Sequence, residues 1–479
     1  YKGSMTVDAG AIMTTPGGGY SIRSLGNAVI NGTISGNNYI VRGPSLSNNG
    51  TINANNLQFD STTLVTSTGT FSSNTITVGG TGNLTLNSNV TFSPVSNFTI
   101  NNGGIFFPGS KTFTFNSGSF IINAGGAVSG VGPNAGTLQT QNNVTFVFRL
   151  GSTFNSAVKV NTGILTAGND QPPYIGIFYG AITVDAGAVF TSPGGGYTTQ
   201  ANGAVTNNGI ITTAPGATFR MMGNSFTNNS SVTCQNLSFD STTTISGSGT
   251  YTGANIAING SGNVSLGNNI TFSPTGGFSV NSGGILNPNT RTLTFNSGTF
   301  AVNAGGTLTS SGIFQTQGNV NVIVRNNSAF NGTFKINSGT TLAYNDQPPY
   351  FSNFNGTVTV DAGATLHTQN GGYTFQANNT VTNNGTITGS STFRVKGPSL
   401  TNNSTISNTY VNFDTTTNVS GAGSYSGTFM SAGSSGNIVL AGNVTFTPAG
   451  NFVLSGGAVL NPNSFIFTAI GNCYFNNGS

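Results

Sequence analysis

The chain repeats itself at two nested spacings, and nothing else in the sequence restricts its fold so strongly. Thr-Val-Asp-Ala-Gly-Ala recurs with its Asp at positions 8, 185 and 361. Gly-Gly-Tyr follows each time, ending at Tyr20, Tyr197 and Tyr373. Phe-Asp-[Ser/Thr]-Thr-Thr comes next, at Asp60, Asp240 and Asp414, and then Thr-Phe-[Ser/Thr]-Pro, at Pro94, Pro274 and Pro448. Asn-Asp-Gln-Pro-Pro-Tyr closes the first two units at Tyr174 and Tyr350. Three long units of about 176 residues result: 1–177, 178–353, and 354–479, the last stopping before its own closing motif. Self-similarity at a fixed period is the signature of repeat architectures.

Inside each unit lies a shorter period. Ile-Asn-Gly-Thr-Ile around Asn31 returns as Asn-Asn-Gly-Thr-Ile at Asn49, 18 residues on. Phe-Thr-Ile-Asn-Asn-Gly103-Gly returns as Phe-Ile-Ile-Asn-Ala-Gly125-Gly, 22 residues on, and Gly283 and Gly305 repeat that interval. The common form is apolar-x-apolar-[Asn/Asp], with Gly close behind. Period-two alternation of Val, Ile, Thr and Phe predicts strands. Asn with Gly supplies the positive φ of a tight corner. Strand and corner alternating at 18–22 residues per cycle predict one coil of a β-solenoid, whose apolar face is buried only when coils stack. Parallel crossovers are overwhelmingly right-handed. The expected fold is therefore all-β: a right-handed parallel β-helix of about 24 coils, roughly 115 Å long at the usual strand spacing. Three separate β-sandwiches would need longer units than usual, and no charged or Pro-rich linker divides them.

Composition agrees. Of 479 residues only 4% are charged, against roughly 25% in ordinary soluble domains. All eight acidic residues are Asp, Trp is absent, and Gly reaches 71. A helical surface cannot be made from such material. The net charge of +4 comes from cations scattered singly, such as Arg149 and Arg325. Nucleic-acid binding, which needs clustered cations, is not expected. No apolar run approaches the roughly 20 residues of a membrane span, so membrane insertion is not expected either.

The runs Asn-Asn-Gly-Thr-Ile, Phe-Thr-Ile-Asn-Asn-Gly-Gly and Gly-Asn-Leu-Thr-Leu-Asn-Ser resemble those of secreted bacterial β-helix surface proteins. Filamentous-haemagglutinin-like adhesins and the large repeat proteins of Bacteroidetes cell surfaces share this pattern. The resemblance implies export, an extracellular location, and adhesion or fibre building. Asp-[Ser/Thr]-Thr also resembles the O-glycosylation acceptor pattern of Bacteroidetes, which implies Ser61, Ser241 and Thr415 as acceptors.

Parallel β-helices also carry polysaccharide-degrading enzymes and phage tailspikes, and these are the rival reading. Such chemistry needs carboxylates converging on one groove. Here Asp8, Asp185 and Asp361 occupy a corner that reads as the one held by Asn101, Asn123, Asn281, Asn303 and Asn337. Asp60, Asp240 and Asp414 read as sharing a slot with Asn116 and Asn296. An Asp interchangeable with Asn is a turn former, so no catalytic residue is expected. His367 replaces Thr14 and Thr191 and has no recurring partner. Cys234 takes a slot held by Ala54 and Asn408, too far along the coils from Cys473 for a disulfide. No metal or other cofactor is expected, since no Cys/His cluster exists. Thr-x-Thr pairs such as Thr75 and Thr77 do not recur at coil spacing, so a flat ice-binding face is not expected.

One segment reads as a contact site. Paired prolines remove ladder donors, so Pro172, Pro173 and Tyr174, with Pro348, Pro349 and Tyr350, must leave the coil. They would present tyrosines on one side of successive units if each unit held a whole number of turns. Exposed Tyr suits contact with protein or glycan. The expected function is an extracellular structural or adhesive protein, a segment of a cell-surface fibre. Its expected partners are further copies of itself, joined head to tail or laterally, and glycans or the surface of a host or neighbouring cell. An uncapped coil invites pairing, so the stack is expected to continue past both ends.

Overall fold

The computed structural model describes residues 1–15, 17–130, 135–309, 311–369, 371–433 and 435–476. Strands, mostly of two to five residues, alternate with polar corners, and every strand pairing is parallel. Among the described residues there is no helix. The chain is a parallel β-solenoid of about 22 turns, slightly fewer than the sequence suggested. Turn length varies more than the motif spacing implied: Ser21 pairs with Asn38, whereas Ser119 pairs with Thr145.

Two compact units divide the chain, Tyr1–Leu237 and Ser238–Ser479. In the first, each turn contributes one strand to each of three walls. The first wall starts with Met5–Val7, Ala28–Ile30 and Ser45–Asn48. The second starts with Ile12–Thr14 and Thr33–Ser35 and reaches Ile182–Val184 and Val205–Asn207. The third starts with Ser21–Ser24 and Asn38–Val41 and reaches Ser231–Thr233. The second unit has the same three-walled section.

The long repeat does not contain a whole number of turns. Met5–Val7, Ile182–Val184 and Val358–Val360 begin the three repeats and are the first, twenty-sixth and fifty-first strands. With three strands per turn, one repeat spans eight turns and one further wall. Within the first unit, Met5–Val7 accordingly lies on the first wall and its counterpart Ile182–Val184 on the second. Within the second unit, Thr242–Ser246 and its counterpart Thr417–Ser420 also lie on different walls. The whole-turn condition for aligned tyrosines is not met.

This advance also corrects two corner assignments. Asn101 and Asn123 stack over Asp60, each backbone N–H donating to the turn before: Gly79 to Phe59, Asn101 to Val78, Asn123 to Ile100. Asn116 belongs to the corner of Asp185, which continues through Gln141 and Asn161. Asn281 and Asn303 likewise stack with Asp240, while Asn296 and Asn337 stack with Asp361. All three corners use apolar-x-apolar-[Asn/Asp], so the motif alone does not say which corner it turns. That Asp and Asn interchange there is unaffected.

Alternation puts one residue of each pair inside. In Asn97–Ile100 and Thr112–Phe115 the apolar residues are buried and the polar ones half-buried. Phenylalanines then stack along the core. The rings of Phe98 and Phe120 are 5.1 Å apart and nearly parallel, and Phe120 continues to Phe146 at 4.7 Å. Phe300, Phe314 and Phe330 line the second unit in the same way. Each fully buried ring contributes about 1.5–3 kcal/mol relative to exposure. Corners differ in what they ask of glycine. Gly103, with φ +78°, needs a left-handed backbone, whereas a Cβ on Gly50 would collide with the Gly32 carbonyl one turn below.

Candidate functional site

The two Pro-Pro loops are built by the same contacts. After strand Ile164–Gly168 the Asn169 side chain turns inward and is 2% exposed. Its Nδ2 donates to the Ile175 carbonyl at 3.1 Å, and its Oδ1 accepts from the Gln171 N–H at 2.9 Å. One amide thus spans the loop from end to end. The Pro172–Pro173 bond is cis, and Tyr174 has φ +60°. Tyr174 is 37% exposed, and its ring meets Tyr197 edge-on at 5.3 Å. The second loop repeats each step. Asn345 bridges Phe351 and Gln347, Pro348–Pro349 is cis, and Tyr350 has φ +64°. Tyr350 is 36% exposed and meets Tyr373 at 5.0 Å. The expected loops therefore exist, and each brings together two tyrosines that lie apart in sequence.

A charged pair anchors each loop to the turn below. Arg149 Nε and Nη2 donate to the Asp170 carboxylate at 3.0 and 2.8 Å. Arg325 does the same to Asp346 at 2.7 and 2.6 Å. Hydrogen bonding from the arginine holds each carboxyl below the usual carboxylate range. In the second unit the pair ends a polar column. Asn259 donates to Asp240 at 2.6 Å, Asn281 to Asn259 at 2.8 Å, Asn303 to Asn281 at 2.5 Å, and Arg325 to Asn303.

Four more of the scattered cations serve this stacking. Arg42 reaches Asp60 at 3.1 Å, Lys159 Asp185 at 3.2 Å, Lys335 Asp361 at 3.0 Å and Arg394 Asp414 at 2.9 Å. Each cation lies about one turn before its carboxylate. Reading the cations as single missed these partners, although their coil-length spacing was the available signal.

The acceptor-like triplets sit in the same corners. Ser61 Oγ donates to the Arg42 carbonyl at 2.7 Å, and Thr415 Oγ1 to the Lys396 carbonyl at 2.8 Å. Ser241 is likewise half-buried. The next residue, Thr62, Thr242 or Thr416, is the exposed member. The fourth, Thr63 or Thr417, is buried and donates to Gly43 or Gly397.

The remaining candidates are dispersed. Cys234 is buried like Ala54 and Asn408 in the related slots, and burial pushes its thiol pKa upward; Cys473 is exposed and free. His367 is half-buried, paired in register with Leu342 and Thr388. No group of three His, Cys, Asp or Glu residues placed to hold a metal occurs among the described residues. Thr75 lies between Asn56 and Asn97 in register, so its Thr-x-Thr pair does not recur. Single threonines do align, however, as in Thr145, Thr166, Thr191, Thr212 and Thr233. No protein-family model matches the sequence, and neither a curated protein nor a solved structure matches it.

Proposed function

We propose that the chain is an extracellular structural or adhesive protein, a stretch of β-helical cell-surface fibre without catalytic activity. The observation that carries this reading is the use made of the charged groups. Among the described residues, at least six carboxylates pair with a cation about one turn away. Groups committed to joining coils leave few carboxylates to converge on a substrate, as acid–base chemistry needs. The tyrosine-bearing loops would supply contacts to protein or glycan, and further copies of the chain would extend the fibre. O-linked glycans at Ser61, Ser241 or Thr415 fit the same reading, since a surface with 4% charge has little electrostatic protection from self-association. Sugar on Ser61 or Thr415 would displace a hydrogen bond worth about 0.5–1.5 kcal/mol, and the neighbouring Thr62, Thr242 and Thr416 are more exposed.

The test is to incubate the chain with pectin, alginate and chitin, and to measure retention of chain-coated particles together with release of reducing ends. Retention without release is the expected result. Turnover at an enzyme-like rate overturns the non-catalytic reading, and absence of retention on these polymers and on cell surfaces overturns the adhesive one.

A further inference from the structure

The two Pro-Pro loops differ most in the residue that precedes them. The first follows Gly168, the second Tyr344, and the two hold the same ladder position: Val147 pairs with Gly168 and Ile323 with Tyr344. A Cβ on Gly168 would stand 2.7 Å from Pro193 Cγ. Gln369 of the third repeat stands beside the second loop where Pro193 of the second repeat stands beside the first. Beside Gly168 this leaves a slot of about 130 Å³ whose lining includes Thr145, Val147, Thr166, Asp170, Pro193 and Tyr197. Its surface is almost wholly apolar. In the second repeat the Tyr344 ring stands in the corresponding place, edge-on to Tyr373 at 6.1 Å. Burial, and then the neighbouring Asp346 carboxylate, push the Tyr344 phenol pKa upward.

The second repeat thus supplies from its own chain an aromatic ring where the first leaves an opening. We infer that the slot beside Gly168 receives one tyrosine side chain of another polypeptide, in the place that the Tyr344 ring takes beside the second loop. Size supports a single ring. An apolar cavity of about 150 Å³ holds benzene, whereas pockets for larger ligands begin near 300 Å³. Chemistry separates this ring from a sugar. A pyranose carries hydroxyls around its edge, and each loses its water on entry and needs a partner that so nearly apolar a surface supplies only sparsely. A phenol has one hydroxyl, and Asp170 among the lining residues carries an acceptor for it.

The probe is N-acetyl-tyrosinamide, titrated against the full chain by ligand-observed NMR, with methyl glucoside as comparator. Wild type should bind the tyrosine probe saturably and the glucoside not. G168Y/P193Q, which copies the surroundings of the second loop, should weaken binding at least tenfold. Y344G/Q369P, which copies the first, should double the probe bound at saturation. These residue pairs already coexist at the same register in this chain, and circular dichroism checks each variant. Absence of saturable wild-type binding up to about 10 mM overturns the inference, since even one well-placed ring should register there. Unchanged binding in folded G168Y/P193Q also overturns it, and so does preferential binding of the glucoside. The result does not depend on adhesion or catalysis, because the probe is neither a surface nor a substrate.

Discussion

Two loops of identical sequence, Asn169–Tyr174 and Asn345–Tyr350, share a buried amide bridge, an arginine anchor and an edge-on tyrosine pair. Beside the first lies an opening; beside the second lies Tyr344. The contrast separates what holds the loop from what the loop frames. The amide, the ion pair and one phenylalanine contact, Phe154–Phe178 or Phe330–Phe354, are common to both, so they are scaffold. The neighbour at Gly168 or Tyr344 is free to vary, and in such places repeats acquire different surfaces.

The largest effect should come from the shared core. Phe178 packs against Phe154 as Phe354 packs against its counterpart Phe330, and each gains one further ring, Phe148 or Phe334. Phe178→Ala and Phe354→Ala should each cost about 3–5 kcal/mol in urea unfolding. Clearly unequal losses would show that the loops rest on different foundations. Next come the bridges. Asn169→Ala and Asn345→Ala leave a carbonyl and an N–H without their partner, at about 1–3 kcal/mol each. A loss in one loop only would break the claim that both are built alike. Smallest is the tyrosine pair: Tyr174→Ala and Tyr350→Ala should each cost about 0.5–1.5 kcal/mol, with the coil ladder unchanged in hydrogen exchange.

Much of this was legible in the residues. Apolar-x-apolar-[Asn/Asp] gave the strands and corners, and Pro172-Pro173-Tyr174 announced a departure from the coil. The wall on which each motif falls was not legible, because the three corners use one chemistry and Asn101 reads like Asn116. Only strand pairing counts the extra wall per repeat. The ion pairs were legible only through the coil length: Arg149 and Asp170 lie 21 residues apart, one coil, and reading each cation by itself passed over that spacing. The Tyr174–Tyr197 contact was hidden for the same reason. The slot at Gly168 needed the structure outright, since glycine in this chain is too common to mark a site.

The central claim is that carboxylates here join coil to coil. Asp170 and Asp346 are held below the ordinary value of 3.8 by Arg149 and Arg325. A carboxyl with a depressed folded pKa contributes stability above its unfolded pKa, and this is lost as pH falls through the folded value. The direct measurement is the urea midpoint of wild type and of D170N/D346N at pH 7 and again about pH 2. The wild type should lose more stability across that interval than the variant, and the variant should start from a lower midpoint at pH 7. Equal midpoints at pH 7 and an equal loss in acid would contradict the account, because these carboxylates would then hold nothing together.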